Sequence, residues 1–151
     1  MIKKKLKIYI AGPLFSKMER EFNFKMNALL RRWGFATYLP QLDGGFYPAL
    51  IKDGMSKKRA RAFIFKKDLE ALKDCDLFLF ILDGRVPDEG GCVELGIAYA
   101  LGKVCLGFKT DDRTFINGND NIMIEGCLQS VARNFQELKK ILQDIKKQKG
   151  D

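Results

Sequence analysis

Leu77-Phe78-Leu79-Phe80-Ile81-Leu82 is an unbroken row of six apolar residues. A strand with one face in water alternates apolar and polar positions, so a row without alternation fits a strand covered on both faces, as in a parallel sheet between helices. Parallel strands need crossover connections, and the flanking sequence supplies them. A strand pattern over 6–11 is broken by Gly12-Pro13, and Ser16-Lys17-Met18-Glu19 then has the spacing of a capping box at a helix start. Phe22, Met26, Leu29, Leu30 and Trp33 follow near a 3.6-residue repeat until Gly34. A second strand over 35–39 stops at Pro40. The stretch 41–54, with four glycines or prolines and two aromatics, reads as a long functional loop. Positions 60–73 are helical by pattern, 83–91 a loop, 92–101 a helix closed by Gly102, and 104–108 another apolar strand. This alternation predicts an α/β doubly wound domain of roughly five parallel strands with helices on both faces. At 151 residues, one domain covering 1–151 is expected.

Histidine is absent. Ser-His-Asp and Cys-His nucleophiles, an imidazole base and His-containing metal sites are thereby excluded, leaving carboxylates, tyrosine, lysine, cysteine and backbone dipoles for any catalysis. Cys75, Cys92, Cys105 and Cys127 form no Cys-x-x-Cys pair, so reduced thiols are expected rather than a zinc site or redox dithiol. No apolar run approaches the ~20 residues of a membrane span, and a cytoplasmic, non-membrane protein needing neither metal nor cofactor is expected. The net charge of +8 is unevenly placed. Lys57, Lys58, Arg59, Arg61, Lys66 and Lys67 form one basic block, Lys3, Lys4, Lys5 and Lys7 another, and lysines crowd the C-terminal helix, whereas 68–98 is acidic. The basic blocks belong to no recognisable nucleic-acid recognition module, so they read as solvated helix faces rather than a nucleic-acid surface.

In open α/β sheets, ligands bind beyond the carboxyl ends of the strands. The loop after the first strand offers the Tyr9 phenol and, at Gly12, close access to backbone. The segment after the apolar strand carries Asp88, Glu89, Gly90, Gly91 and Glu94. A helix beginning near Gly91 would put Glu94 in its first turn, where orphan N–H groups favour an ionised carboxylate. Gly90 and Gly91 remove bulk beside it, and Asp88 adds a second acid six residues earlier. Glu89 reads as a solvated neighbour and Cys92, lacking a base partner, as a packed thiol. An ionised carboxylate with further acids nearby suits chemistry at an anomeric carbon: one carboxylate forms a covalent ester with the sugar while a group of higher pKa protonates what leaves. Two displacements would retain configuration, with no metal or histidine required.

Five segments in order resemble the nucleoside 2-deoxyribosyltransferases: Ile8-Tyr9-Ile10-Ala11-Gly12-Pro13-Leu14-Phe15-Ser16; Leu39-Pro40-Gln41; Asp68-Leu69-Glu70-Ala71-Leu72-Lys73-Asp74-Cys75-Asp76; Asp88-x5-Glu94-Leu95-Gly96-x-Ala98-Tyr99-Ala100-Leu101-Gly102-Lys103; and Asn121-Ile122-Met123. The resemblance covers residues 6 to about 130 and implies a flavodoxin-like or Rossmann-like sheet. It also implies an enzyme of nucleoside salvage that exchanges the base of 2′-deoxyribonucleosides through a deoxyribosyl-glutamate. Carried across by motif, Glu94 would be the nucleophile and Tyr9 the hydroxyl orienting it. Asp68 and Asp88 would divide proton donation to the base and hydrogen bonding to the sugar, in an order the sequence leaves open. Gly12, Gln41 and Gly91 would lie against substrate. Asn121 and Met123 would reach into a neighbouring subunit's site, so the resemblance implies a homo-oligomer acting on a deoxyribonucleoside and a free nucleobase. Two alternatives stay open: a 2′-deoxynucleoside 5′-monophosphate N-hydrolase, which transfers the sugar to water, and a nucleotide- or nucleic-acid-binding module without turnover. A phosphoribohydrolase is disfavoured, because Gly90-Gly91-Cys92-Val93-Glu94 lacks that family's Gly-Thr step.

Overall fold

The structure, a computed structural model, describes residues 5–113 and 118–150; Lys3 and Lys4 of the N-terminal basic block lie outside them. Five strands, β1 (Lys7–Ala11), β2 (Ala36–Tyr38), β3 (Leu77–Ile81), β4 (Val104–Phe108) and β5 (Ser130–Ala132), form one all-parallel sheet in the order β2-β1-β3-β4-β5. The helices are α1 (Lys17–Arg32), α2 (Tyr47–Lys52), α3 (Lys57–Asp74), α4 (Glu89–Ala100), α5 (Ile122–Cys127) and α6 (Phe135–Gln148). This is the doubly wound α/β architecture the alternation predicts.

Strand parity divides the interior into two cores. Ile8 and Ile10 of β1 join Leu77, Leu79 and Ile81 of β3 with Met26 and Leu30 of α1 and Leu138 and Leu142 of α6. Tyr9 and Ala11 point the other way and join Phe78 and Phe80 with Ala71 and Leu72 of α3 and Leu95 and Ala98 of α4. All five residues of β3 are buried, as a central strand covered on both faces requires. The capping box forms as its spacing predicts: Glu19 N donates to Ser16 Oγ at 3.1 Å, and Ser16 N to Glu19 Oε2 at 2.7 Å.

Two boundaries differ from expectation. The stretch 41–54 is not a loop but a π-helical turn, Pro40–Gly44, followed by α2. Pro40 and Pro48 sit at the starts of these elements, where proline's missing N–H costs nothing and its fixed φ suits a first turn. Helix α4 begins at Glu89, with Asp88 as N-cap accepting from Gly91 N at 2.7 Å, three residues before the expected start. Gly90 and Gly91 are therefore helical. In the basic block of α3, Lys57, Lys58, Arg59, Arg61 and Lys66 are exposed and Lys67 is half-buried, all four cysteines are free thiols, and among the described residues no helix is long and apolar enough to cross a membrane.

Candidate active site

The chain reverses its winding direction at β1, so the loops after β1 and β3 diverge and leave a crevice at the carboxyl edge of the sheet. Parallel register then builds a row of rings there. Tyr9 pairs with Tyr38 on one side and with Phe78 on the other, placing three aromatics abreast on one face. The Tyr9 ring stacks on Tyr38 with centroids 5.2 Å apart and on Phe78 at 5.7 Å. Two of these rings carry hydroxyls, and each hydroxyl meets a carboxylate from the covering helices. The Tyr9 hydroxyl donates to Glu94 Oε1 of α4 at 2.7 Å, and the Tyr38 hydroxyl to Asp68 Oδ1 of α3 at 2.8 Å.

Three approaches are tight enough to need glycine. A Cβ on Gly91 would lie 2.4 Å from the Phe80 ring, so its absence lets α4 settle onto β3 and brings Glu94 to Tyr9. At Gly12 a Cβ would meet that of Ile81 at 2.9 Å, holding the first loop against the end of β3. Gly44 covers the second pair: its Cβ would be 2.7 Å from Asp68 Oδ1 and 3.2 Å from the Tyr38 oxygen.

Loop anchoring extends from these contacts. Asn23 Nδ2 donates to Pro13 O at 2.9 Å and to Gln41 Oε1 at 2.8 Å, and Gln41 Nε2 donates to Arg20 O at 3.0 Å, which ties the first loop to the π-helical turn and fixes the Gln41 amide. Asp83 accepts from Thr110 N at 2.6 Å and Asp111 N at 2.8 Å, bracing the loop that leads to Asp88.

Electrostatics correct the expectation for Glu94. Because α4 starts early, Glu94 stands in its second turn, beyond the strongest field of the orphan N–H groups. Burial pushes its carboxyl up to about 8; the Tyr9 bond opposes this, while the charges of Asp68 and Asp88 add to it. The resting carboxyl thus tends to hold a proton at neutral pH rather than being kept ionised by the helix. Burial also raises Asp68, against the Tyr38 bond and Lys67. Both phenols are raised, chiefly by burial, and so remain donors. Burial, Asp88 and Glu89 raise the Cys92 thiol, leaving it a poor nucleophile.

Two cavities adjoin the cluster. One of about 250 Å³ is lined by Glu94, Asp68, Gly90, Val93 and Phe65; the other, about 540 Å³, by Asp68, Gln41, Phe24, Phe46 and Tyr47. Asp68 borders both. The structure therefore gathers Tyr9, Asp68, Asp88 and Glu94, with Gly91 beneath and Gln41 at the second cavity. Asn121 and Met123 line neither cavity. Asn121 caps α5, accepting from Met123 N at 2.9 Å, and Met123 is 75% exposed beside Ile122 at 80%. Sequence reasoning missed Tyr38 and Gly44, whose roles depend on the β1–β2 register and on the fold of the π-helical turn. It also missed Lys109, which is 2% exposed and ion-paired with Asp120 beyond β4.

Residues 8–141 match the family model described as Nucleoside 2-deoxyribosyltransferase. The chain is 32% identical over 103 residues to an uncharacterized protein of Ureaplasma parvum; the match covers 66% of the chain and 63% of that relative's length. Among solved structures, it resembles a 2-deoxyribosyltransferase of Bacillus psychrosaccharolyticus, with a TM-score of 0.73 and 26% identity over 88% of this chain and 90% of that one. A CMP N-glycosidase of Clostridium botulinum shares the fold at a TM-score of 0.58 and 17% identity, over 91% of this chain and 98% of that one.

Proposed function

The chain belongs to the nucleoside 2-deoxyribosyltransferase family, and from that premise we propose that it is a cytoplasmic, single-domain enzyme that exchanges the base of 2′-deoxyribonucleosides through an ester on Glu94. The observation carrying this reading is the partly buried Glu94 carboxyl, gripped by Tyr9 at 2.7 Å and flanked electrostatically by Asp68 and Asp88.

In the first displacement a Glu94 oxygen bonds to C1′ as the C1′–N bond breaks, and the electron pair leaves with the base. The base takes a proton, and the cluster carries one at neutral pH, because Glu94 titrates near 8. As positive charge develops on the sugar, ionised Glu94 is favoured, and that proton passes through Asp68 to the leaving nitrogen. A ring nitrogen of the incoming base then attacks C1′ from the opposite face and gives up its proton to Asp68, freeing the carboxylate of Glu94. Two inversions retain configuration. In this scheme Asp68, which borders both cavities, is assigned to the base, and Asp88, engaged by Gly91 N at 2.7 Å, is assigned to the sugar. The aromatic walls of the larger cavity suit a stacked base, with Gln41 at its edge.

Asn121 and Met123 complete the site of a neighbouring copy in this reading, which accounts for exposed Ile122 and Met123 at the start of a short capped helix. Incubation with one deoxynucleoside and a different free base should yield the exchanged nucleoside. Release of free sugar without exchange would favour the hydrolase. That second reading, with a 5′-monophosphate as substrate, draws on the net charge of +8. Nucleotide binding without turnover would favour a binding module.

A further inference from the structure

We propose that Tyr38 is a positioning residue that aims Asp68 at the leaving base; this rests on the reading of Asp68 as the acid. The Tyr38 hydroxyl donates to Asp68 Oδ1 at 2.8 Å, and Gly44 closes on the same oxygen so tightly that a Cβ would lie 2.7 Å from it. Oδ1 is therefore walled in by a phenol and a backbone. Oδ2 accepts no hydrogen bond among the described residues and is the oxygen left to carry a transferable proton. Tyr38 is itself held by stacking on Tyr9, 5.2 Å between centroids and 24° between planes, and Tyr9 grips Glu94. Nucleophile and acid thus hang from two stacked rings on adjacent, in-register strands.

This arrangement separates two contributions of the acid, its proton and its direction. Burial favours the protonated form of Asp68, and the Tyr38 bond opposes it. Without the phenol, the carboxyl can still take up and pass on the proton of the cluster but is free to rotate about its side-chain torsions, so the O–H no longer points at the departing nitrogen for most of its lifetime. The cost falls on the step in which the base leaves and not on substrate binding.

The test compares wild type with Tyr38→Phe on an ordinary deoxyguanosine and on 7-methyl-2′-deoxyguanosine, whose cationic base leaves without being protonated. Tyr38→Phe should lower kcat for deoxyguanosine by about tenfold or more, the range of a general-acid contribution partly lost, with KM changed by less than about threefold. On the methylated substrate it should match wild type. In an Asp68→Asn background, adding Tyr38→Phe should cause no further loss. Equal slowing of both substrates would mean that the ring supports the fold alone and would overturn the assignment, as would full activity of Tyr38→Phe on deoxyguanosine. If Tyr38→Phe fails to fold, Gly44→Ala, whose Cβ would press on Asp68 Oδ1 at 2.7 Å and on the Tyr38 oxygen at 3.2 Å and so disturb the same hydrogen bond, should reproduce the same selectivity between substrates, and its absence there overturns the proposal. A wild type that neither exchanges nor releases a base would instead refute the underlying enzyme reading, and the positioning role with it.

Discussion

Replacing Glu94 by glutamine should abolish exchange and at the same time stabilise the protein, increasingly so as pH rises. In the unfolded chain the carboxyl ionises near its ordinary 4.5, whereas in the fold burial, Asp68 and Asp88 hold it near 8. Between these values the folded state binds a proton that the unfolded state has released. The contribution of this proton to stability is fully present below 4.5 and is lost as pH climbs through 8. The gap is about 3.5 pH units at ~1.4 kcal/mol each, so ionised Glu94 costs the fold on the order of 5 kcal/mol above pH 8 and roughly 3 kcal/mol at pH 7. Glutamine cannot ionise, fills the same space and still accepts from Tyr9 through its carbonyl oxygen. Urea unfolding at matched chain concentration should therefore give equal stabilities for Glu94→Gln and wild type below pH 4.5, with the variant ahead by these amounts at pH 7 and 9. A difference below ~1 kcal/mol at pH 9, or a less stable variant, would refute the argument that this carboxyl is held against its own solvation.

Tyr9→Phe removes a hydrogen bond to the reacting carboxyl, worth about 1.5–3 kcal/mol, and should lower kcat/KM by roughly 10- to 100-fold in steady-state assays while the fold is retained; unchanged kcat/KM would deny Tyr9 its orienting role. Gly91→Ala drives a Cβ to 2.4 Å from Phe80 and should lower stability by about 1–3 kcal/mol and pull Glu94 from Tyr9; an unaltered urea midpoint would contradict this packing. Asn121→Ala mixed with Glu94→Ala and reassembled should recover up to about a quarter of wild-type activity if sites are shared between copies, and no recovery in well-mixed oligomers would reject sharing.

The strands with the clearest pattern in the sequence are those buried on both faces, whereas the partly exposed edge strand β2 was legible chiefly from the Gly34 and Pro40 that bound it. The row Leu77 to Leu82 and the run Val104 to Phe108 show no alternation because neither face meets water, and they lie at the centre of the sheet. The edge strand β5, Ser130–Ala132, is three residues long and leaves no periodic trace. Proline and glycine misled in opposite ways from their usual meaning. Pro40 and Pro48 open helical turns instead of ending structure, and Gly90 and Gly91 are helical because Asp88 caps the turn and Phe80 leaves no room for a side chain at 91. Tyr9, Asp68, Asp88 and Glu94 were visible as motif residues, but the pairing of Tyr38 with Asp68 was not. That contact requires knowing that β2 lies beside β1 with Tyr38 opposite Tyr9, a fact of register that no local pattern encodes.

The shifted start of α4 changes what Glu94 can do. A glutamate in the first turn would be ionised by backbone dipoles and would wait as an anion, with the proton for the base fetched from elsewhere. In the second turn, against Tyr9 and near two other acids, the carboxyl rises to about 8 and the resting site already contains the proton that departure of the base consumes. If the competent state is the cluster holding one proton in total, exchange should be steady across neutral pH and fall as pH rises through about 8, when that proton is lost. A nucleophile that merely needed to be ionised would instead gain activity over the same interval. Measuring kcat/KM for a deoxynucleoside between pH 6 and 9.5 separates the two, and a rise through 8 would remove the proton inventory on which the acid role of Asp68 depends.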